Sequence, residues 1–125
     1  MADLFYKPEE AWVGDVIPYF AEGEFKLFYL HNLRGKKEGK KGGWYLLGTN
    51  DFIRYTEYGA CGIQGGTGHV LEVDGLYHMF YCKFPKGAPQ LVCHATSDDF
   101  KNWREIPEDS FSADDRIYEL SDWRD

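Results

Sequence analysis

Two aspartates sit where this chain could do acid–base or nucleophilic chemistry. Asp15 closes the stretch Trp12-Val13-Gly14-Asp15, and Asp125 follows Asp122-Trp123-Arg124. Each begins a stretch belonging to a repeat of roughly fifty residues. Two carboxyl groups on opposite sides of a scissile bond, one of them held protonated as the acid, are what cleavage of a glycosidic bond requires. Trp12 and Trp44 could serve as platforms on which a sugar ring stacks, although a core role competes for both. An aspartate after glycine at a strand entrance is more often a turn residue, and a terminal aspartate usually does nothing. The repeat gives both residues more weight.

The elements that must position them follow from the self-similarity. Gly23 falls on Gly75, Phe25 on Tyr77, Leu27 on Met79, Phe28 on Phe80 and Tyr29 on Tyr81. Further on, Trp44 to Phe52 resembles Leu91 to Phe100, with Tyr55 matching Trp103. Each unit predicts a first strand (Val16 to Phe20, or His69 to Val73) running into a tight turn that carries Gly23 or Gly75. A second strand with aromatic alternation follows (Phe25 to Leu30, or Leu76 to Lys83). A third strand comes next (Trp44 to Thr49, or Gln90 to Ser97), then a turn rich in Asn and Asp and a short outer strand near Tyr55 or Trp103. Pro107 to Asp115 reads as turn-like and polar. Four antiparallel strands per unit is the pattern of a β-propeller blade. His69 opens its strand at the position taken to match Asp15 and is expected to face the central cavity, with a structural role competing. The expected boundaries are blade 1 at about 12–60, blade 2 at about 64–115 and the start of blade 3 at about 121–125.

Composition narrows the function. A chain of 125 residues implies one domain. Aromatic residues make up 18%, and such rings favour pleated strands and sugar platforms alike. The formal net charge of -7 argues against nucleic-acid and anionic-membrane partners, since phosphate binding needs clustered cations. The one basic run, Arg34 to Lys41, is interleaved with glycine and reads as a solvated loop tip. Neither a membrane span nor a secretory signal is visible, so the expected location is cytoplasmic. Cys61, Cys82 and Cys93 lack metal-ligand spacing and read as reduced core residues. His31, His78 and His94 alternate along strands without forming a metal set, so solvent-facing or local bonding roles are expected. No metal or other cofactor is expected.

On these residues the chain resembles glycoside hydrolases of the five-bladed β-propeller clan, families 32 and 43. Trp12-Val13-Gly14-Asp15 is similar to the Trp-Met-Asn-Asp-Pro-Asn-Gly motif of family 32, the β-fructosidases. Asp122-Trp123-Arg124-Asp125 looks like that family's Arg-Asp-Pro motif without its proline. Gly66-Thr67-Gly68-His69 stands where the family has a Phe-Ser-Gly-Ser segment lining the sugar pocket. Ala95 to Trp103 resembles its recurring Ser-Asp-Asp segment followed by Trp. The likeness runs from Trp12 to Asp125. Gly14 replaces the expected Asn, and Val16-Ile17-Pro18 replaces Pro-Asn-Gly. Family 43, with arabinosidases and xylosidases, is also compatible with Asp15.

The resemblance implies an all-β, five-bladed β-propeller glycosidase fold of which this chain supplies two blades and the start of a third. It implies Asp15 as nucleophile, or as the base activating water in a family 43 enzyme, and Asp125 as transition-state stabiliser. The substrate-binding set is then Trp12, Trp44, Thr67, His69 and Arg124. The general acid is expected to be a Glu on a later blade; Glu105, Glu108 and Glu119 lie in polar company and are rejected. A carbohydrate substrate is expected as partner, together with the remaining blades or other copies of the chain. A sugar-binding module without catalysis and an oligomerising half-propeller are the competing classes.

Overall fold

In the structure, a computed structural model that describes residues 5–35 and 42–124, the strands form two four-stranded antiparallel sheets in chain order. The first holds β1 (Ala11–Ala21), β2 (Glu24–Leu33), β3 (Gly43–Thr49) and β4 (Thr56–Ala60). The second holds β5 (Gly66–Val73), β6 (Leu76–Lys83), β7 (Leu91–Ser97) and β8 (Arg104–Glu105). Among the described residues the one helical element is a 3-10 turn, Pro107–Asp109. The fold is therefore all-β. Asp125 and most of the basic run, Lys36 to Lys41, lie outside the described residues.

Local chemistry explains why both sheets start alike. The β1–β2 and β5–β6 hairpins close through the two-residue turns Glu22-Gly23 and Asp74-Gly75. All four residues have positive φ, 56° and 73° in the first turn and 51° and 81° in the second. Two such residues in sequence match the right-handed twist of the flanking strands, and glycine accepts that geometry at no steric cost.

The third strands end alike too. Asp51 Oδ1 accepts the N–H groups of Ile53 and Arg54 at 2.9 and 2.8 Å. Asp99 Oδ1 accepts those of Lys101 and Asn102 at 2.9 and 2.7 Å. Next to each aspartate a phenylalanine takes positive φ, 56° at Phe52 and 65° at Phe100. Each phenylalanine carbonyl accepts a ring donor from three residues on: the Tyr55 hydroxyl at 2.9 Å and Trp103 Nε1 at 2.7 Å. A bulky residue at positive φ needs such over-determination to persist.

The two sheets pack face to face. Ile17, Phe28, Trp44 and Leu46 of the first meet Val70, Met79, Tyr81 and Ala95 of the second, with Phe100 between them, all buried. Removing one such side chain from water stabilises the fold by about 1.5–3 kcal/mol. Lys26 is buried in the same interface, its ammonium 2.8 Å from Glu24 Oε2 and lying over the Tyr58 and Phe100 rings. Burial works against its charge, yet the Glu24 carboxylate and its neighbours outweigh that and raise its pKa above the ordinary lysine value. The first strands, β1 and β5, touch across this interface.

Candidate functional site

The meeting of β1 and β5 brings Asp15 and Thr67 together. Thr67 Oγ1 donates to Asp15 Oδ2 at 2.7 Å, across 52 residues of sequence. Both residues stand at β-bulges. In β1 the register shifts between Val13 and Val16, so that Gly14 and Asp15 oppose one residue of β2. In β5 it shifts between Gly66 and Gly68, leaving Thr67 as the extra residue. A bulge bends its strand and re-aims a side chain. Here the two bulges turn a carboxylate and a hydroxyl toward each other.

Glycines permit that approach. A Cβ on Gly68 would lie 2.5 Å from the Phe80 carbonyl oxygen and 3.4 Å from Ile17 Cδ1 of the other sheet. One on Gly14 would meet Asn32 Nδ2 at 2.6 Å and Leu30 Cβ at 3.0 Å. The bulge also corrects strand parity. Trp12 pairs with Asn32, two residues from Leu30, which packs on the core. Regular alternation would set Trp12 and Asp15 on opposite faces. The inserted residue returns both to the side that meets the second sheet. Trp12 is exposed there, with the Arg34 guanidinium 4.1 Å over its ring. Two guanidinium nitrogens of Arg34, Nε and Nη2, are buried and have no hydrogen-bond partner among the described residues.

Two expectations need correction. Thr67, not His69, occupies the position of Asp15: the separation of Asp15 and Thr67 equals that of the two turn glycines, Gly23 and Gly75. His69 pairs with Phe80 and is exposed; it lies two residues beyond the bulge. Trp44 is fully buried. A ring with no accessible face cannot stack on a sugar, so Trp44 is a core residue. Arg124 is exposed near the end of the described chain, where Trp123 Nε1 donates to the Gln90 carbonyl at 3.0 Å. Asp125, the second expected carboxylate, lies outside the described residues.

Glu105 accepts the Tyr81 hydroxyl at 2.8 Å and the Lys83 ammonium at 2.9 Å. Burial raises its pKa, but the bonds from Lys83 and Tyr81 outweigh that and hold the carboxyl below its usual range. A carboxylate kept ionised in this way is a poor general acid, which needs the opposite shift.

Sequence reasoning missed one polar chain. His94 Nδ1 lies 2.6 Å from Asp109 Oδ2, and His94 Nε2 lies 2.9 Å from His78 Nδ1. The residues are 15 and 16 positions apart in sequence. The signal was the β6–β7 pairing, which sets Phe80 opposite His94 and so His78 diagonal to it. His31 is buried and stacks on Tyr45 with ring centroids 4.0 Å apart. Cys61, Cys82 and Cys93 are buried and form no disulfide among the described residues, and burial pushes the Cys61 thiol up to about 12. Among the described residues no group of three or more His, Cys, Asp or Glu is arranged to hold a metal ion. Among them, too, no helix is long and apolar enough to cross a membrane.

No protein-family model and no curated protein matches the chain. Solved structures do. One is a protein from Parabacteroides distasonis provisionally named a glycoside hydrolase, with a TM-score of 0.61 at 16% identity. The match covers 78% of this chain and 32% of that one, so this chain spans about a third of its length. At that identity the likeness is one of fold alone.

Proposed function

We propose that this chain forms two blades of a five-bladed β-propeller glycosidase and that Asp15 is its nucleophile, acting on a fructoside. One observation carries the reading. A carboxylate sits at a bulge of the first strand of one sheet and is held by a hydroxyl from the same point of the next. In a propeller, first strands line the axis, so Asp15 and Thr67 would border a central pocket. The Thr67 hydroxyl fixes the carboxylate's rotamer, and exposed Trp12 on the same side offers a ring face for the sugar. Residues 12–60 and 64–115 are the two blades, and Asp125 at the start of a third is the transition-state stabiliser. Arg124 and His69 belong to the sugar-contacting rim. The general acid comes from a further sheet.

The fructoside assignment draws on the Trp12–Asp15 and Arg124–Asp125 likenesses. The glycine at position 14 keeps a family 43-like arabinosidase or xylosidase as the alternative, in which Asp15 activates water instead. Aryl fructosides and aryl arabinosides, offered separately to the complete protein and to its Asp15→Asn variant, test the reading. Phenol release from one substrate, lost in the variant at unchanged melting temperature, is the expected result. Equal rates in both proteins would remove Asp15 from the mechanism.

A further inference from the structure

The start of β1 carries a cavity outside the Asp15–Thr67 pair. It measures about 210 Å³, and Phe5, Lys7, Ala11, Trp12, Val13 and Arg34 contribute to its walls. That is below the roughly 300–1,000 Å³ that encloses a whole drug-sized ligand, so it has room for part of one. Two of these residues, Lys7 and Arg34, are cations, and none of the described residues lining the cavity is an acid. In a chain of formal net charge -7, such a lining runs against the overall balance.

Arg34 is fixed in the cavity from two sides. Its backbone N–H donates to the Glu10 carbonyl at 3.0 Å, which extends the β1–β2 pairing past Ala11 and Leu33. Its guanidinium lies 4.1 Å over the Trp12 ring. A guanidinium held over a ring face still has N–H groups to offer at its edge.

The edge without partners is the informative one. Nε and Nη2 are both buried, and neither has a hydrogen-bond partner among the described residues. Buried donors in this state are rare enough to need a reason. These two nitrogens point their N–H bonds side by side, a fork that matches the two oxygens of one carboxylate. A single sugar hydroxyl satisfies only one of them. Phe5 and Trp12, which share the cavity with the fork, are 81% and 61% exposed. Side chains so exposed change rotamer readily, which opens the fork to a ligand.

The place of the cavity along β1 sets which part of a substrate meets it. Three residues of strand separate Trp12 from Asp15, about 10 Å and farther than one sugar ring reaches. Arg34 covers one face of the Trp12 ring and leaves the other to a sugar. We propose that Lys7, Trp12 and Arg34 form a subsite for a uronic acid, so that the substrate is an acidic oligosaccharide whose carboxylate lies on a sugar beyond the one released. Arg34 takes both carboxylate oxygens, and exposed Lys7 adds a second positive charge at the rim. This deepens the glycosidase reading and rests on its placing of the sugar site beside Asp15.

Calorimetric titration of the complete Asp15→Asn protein tests it, with digalacturonate and the matching neutral galactobiose as probes. The two differ only at C6, a carboxylate in one and a hydroxymethyl group in the other. Without its nucleophile the protein reports binding free of turnover. Digalacturonate should bind about tenfold more tightly at low salt, and added salt should weaken it while leaving galactobiose unchanged. Arg34→Met, which keeps an apolar stem beside the ring, should bring the two probes to equal affinity. Arg34→Lys keeps the charge without the fork and should retain only part of the preference. It also replaces Arg34→Met if circular dichroism shows that variant unfolded. Equal affinity for both probes before Arg34 is changed overturns the proposal, and so does a preference that survives in full without the guanidinium. If neither probe binds while the wild type still releases phenol from an aryl glycoside, the acidic subsite alone falls. If neither probe binds and no aryl glycoside is cleaved, the sugar site falls with it.

Discussion

The Thr67 hydroxyl donates to the Asp15 carboxylate at 2.7 Å and so joins two bulges one repeat apart. A hydrogen bond to a charged group at an exposed position contributes about 1 kcal/mol or less once water competes for both partners. Its larger effect is on aim. Thr67→Val keeps the shape and removes the donor, so the carboxylate can rotate. Misplacement on the scale of 1 Å costs up to about a hundredfold in rate. Thr67→Val in the complete protein should therefore slow hydrolysis about ten- to a hundredfold, with little change in melting temperature. Thr67→Ser should keep most of the rate. Equal kcat in Val and wild type would mean that the bond has no catalytic part.

Two glycine substitutions separate steric from conformational demands. Gly68→Ala sets a methyl 2.5 Å from the Phe80 carbonyl oxygen, a backbone atom that cannot turn aside. The cost is about 1–3 kcal/mol, and the strain falls beside Thr67. Gly75→Ala meets nothing within 4 Å, but its φ of +81° is unfavourable for a residue with a Cβ. That costs about 1–2 kcal/mol at the far end of the strand. Urea titration should show similar losses for both variants. Sugar binding or turnover should fall in Gly68→Ala alone.

The difference between those two glycines also marks how far the sequence could be read. The turn at Gly75 was legible because a two-residue I′ turn demands glycine between alternating strands, and the repeat showed it twice. The strands followed from the same alternation. The bulges were not legible. An inserted residue leaves no compositional trace, and it changes which residue faces which. The His69 reading had another source, the nearly equal spacings from Asp15 to His69 and from His69 to Asp125, whereas counting back from the shared turn reaches Thr67. Trp44 misled for another reason. An aromatic residue in a strand has the same signature whether its ring meets a sugar or another sheet, and only packing separates the two.

Phe28 and Phe80 occupy the same position of the repeat on opposite sides of the burial boundary. Phe28→Ala opens a cavity between the sheets and should cost about 3–5 kcal/mol. Phe80→Ala, at a ring 38% exposed and stacked on His94, should cost less, about 1 kcal/mol. Thermal or urea unfolding of the two variants checks this. Similar losses would mean that the second sheet depends on its outer face as much as on its inner one.

Acid should loosen the turns after β3 and β7 together. The Arg54 N–H, then that of Ile53, holds the Asp51 carboxyl at about 2. The Asn102 N–H, followed by the Asn102 side chain, holds Asp99 at about 2. In an unfolded chain an aspartate titrates near ~3.9. The folded value is the lower one, so both groups contribute stability that is fully present above pH ~4 and is lost as pH falls toward about 2. The melting temperature should be level from neutral pH to near ~4 and decline below it. Asp99 adjoins Phe100, which is buried between the sheets, so protonating it reaches the core. Asp51 adjoins the exposed Phe52 and should matter less. In Asp99→Asn the acid decline should therefore flatten more than in Asp51→Asn, with Glu24, Glu105 and Asp114, whose carboxyls are also held low, supplying the remainder. An Asp99→Asn protein that loses as many degrees between pH 4 and 2 as wild type would show that the turn does not carry the acid response.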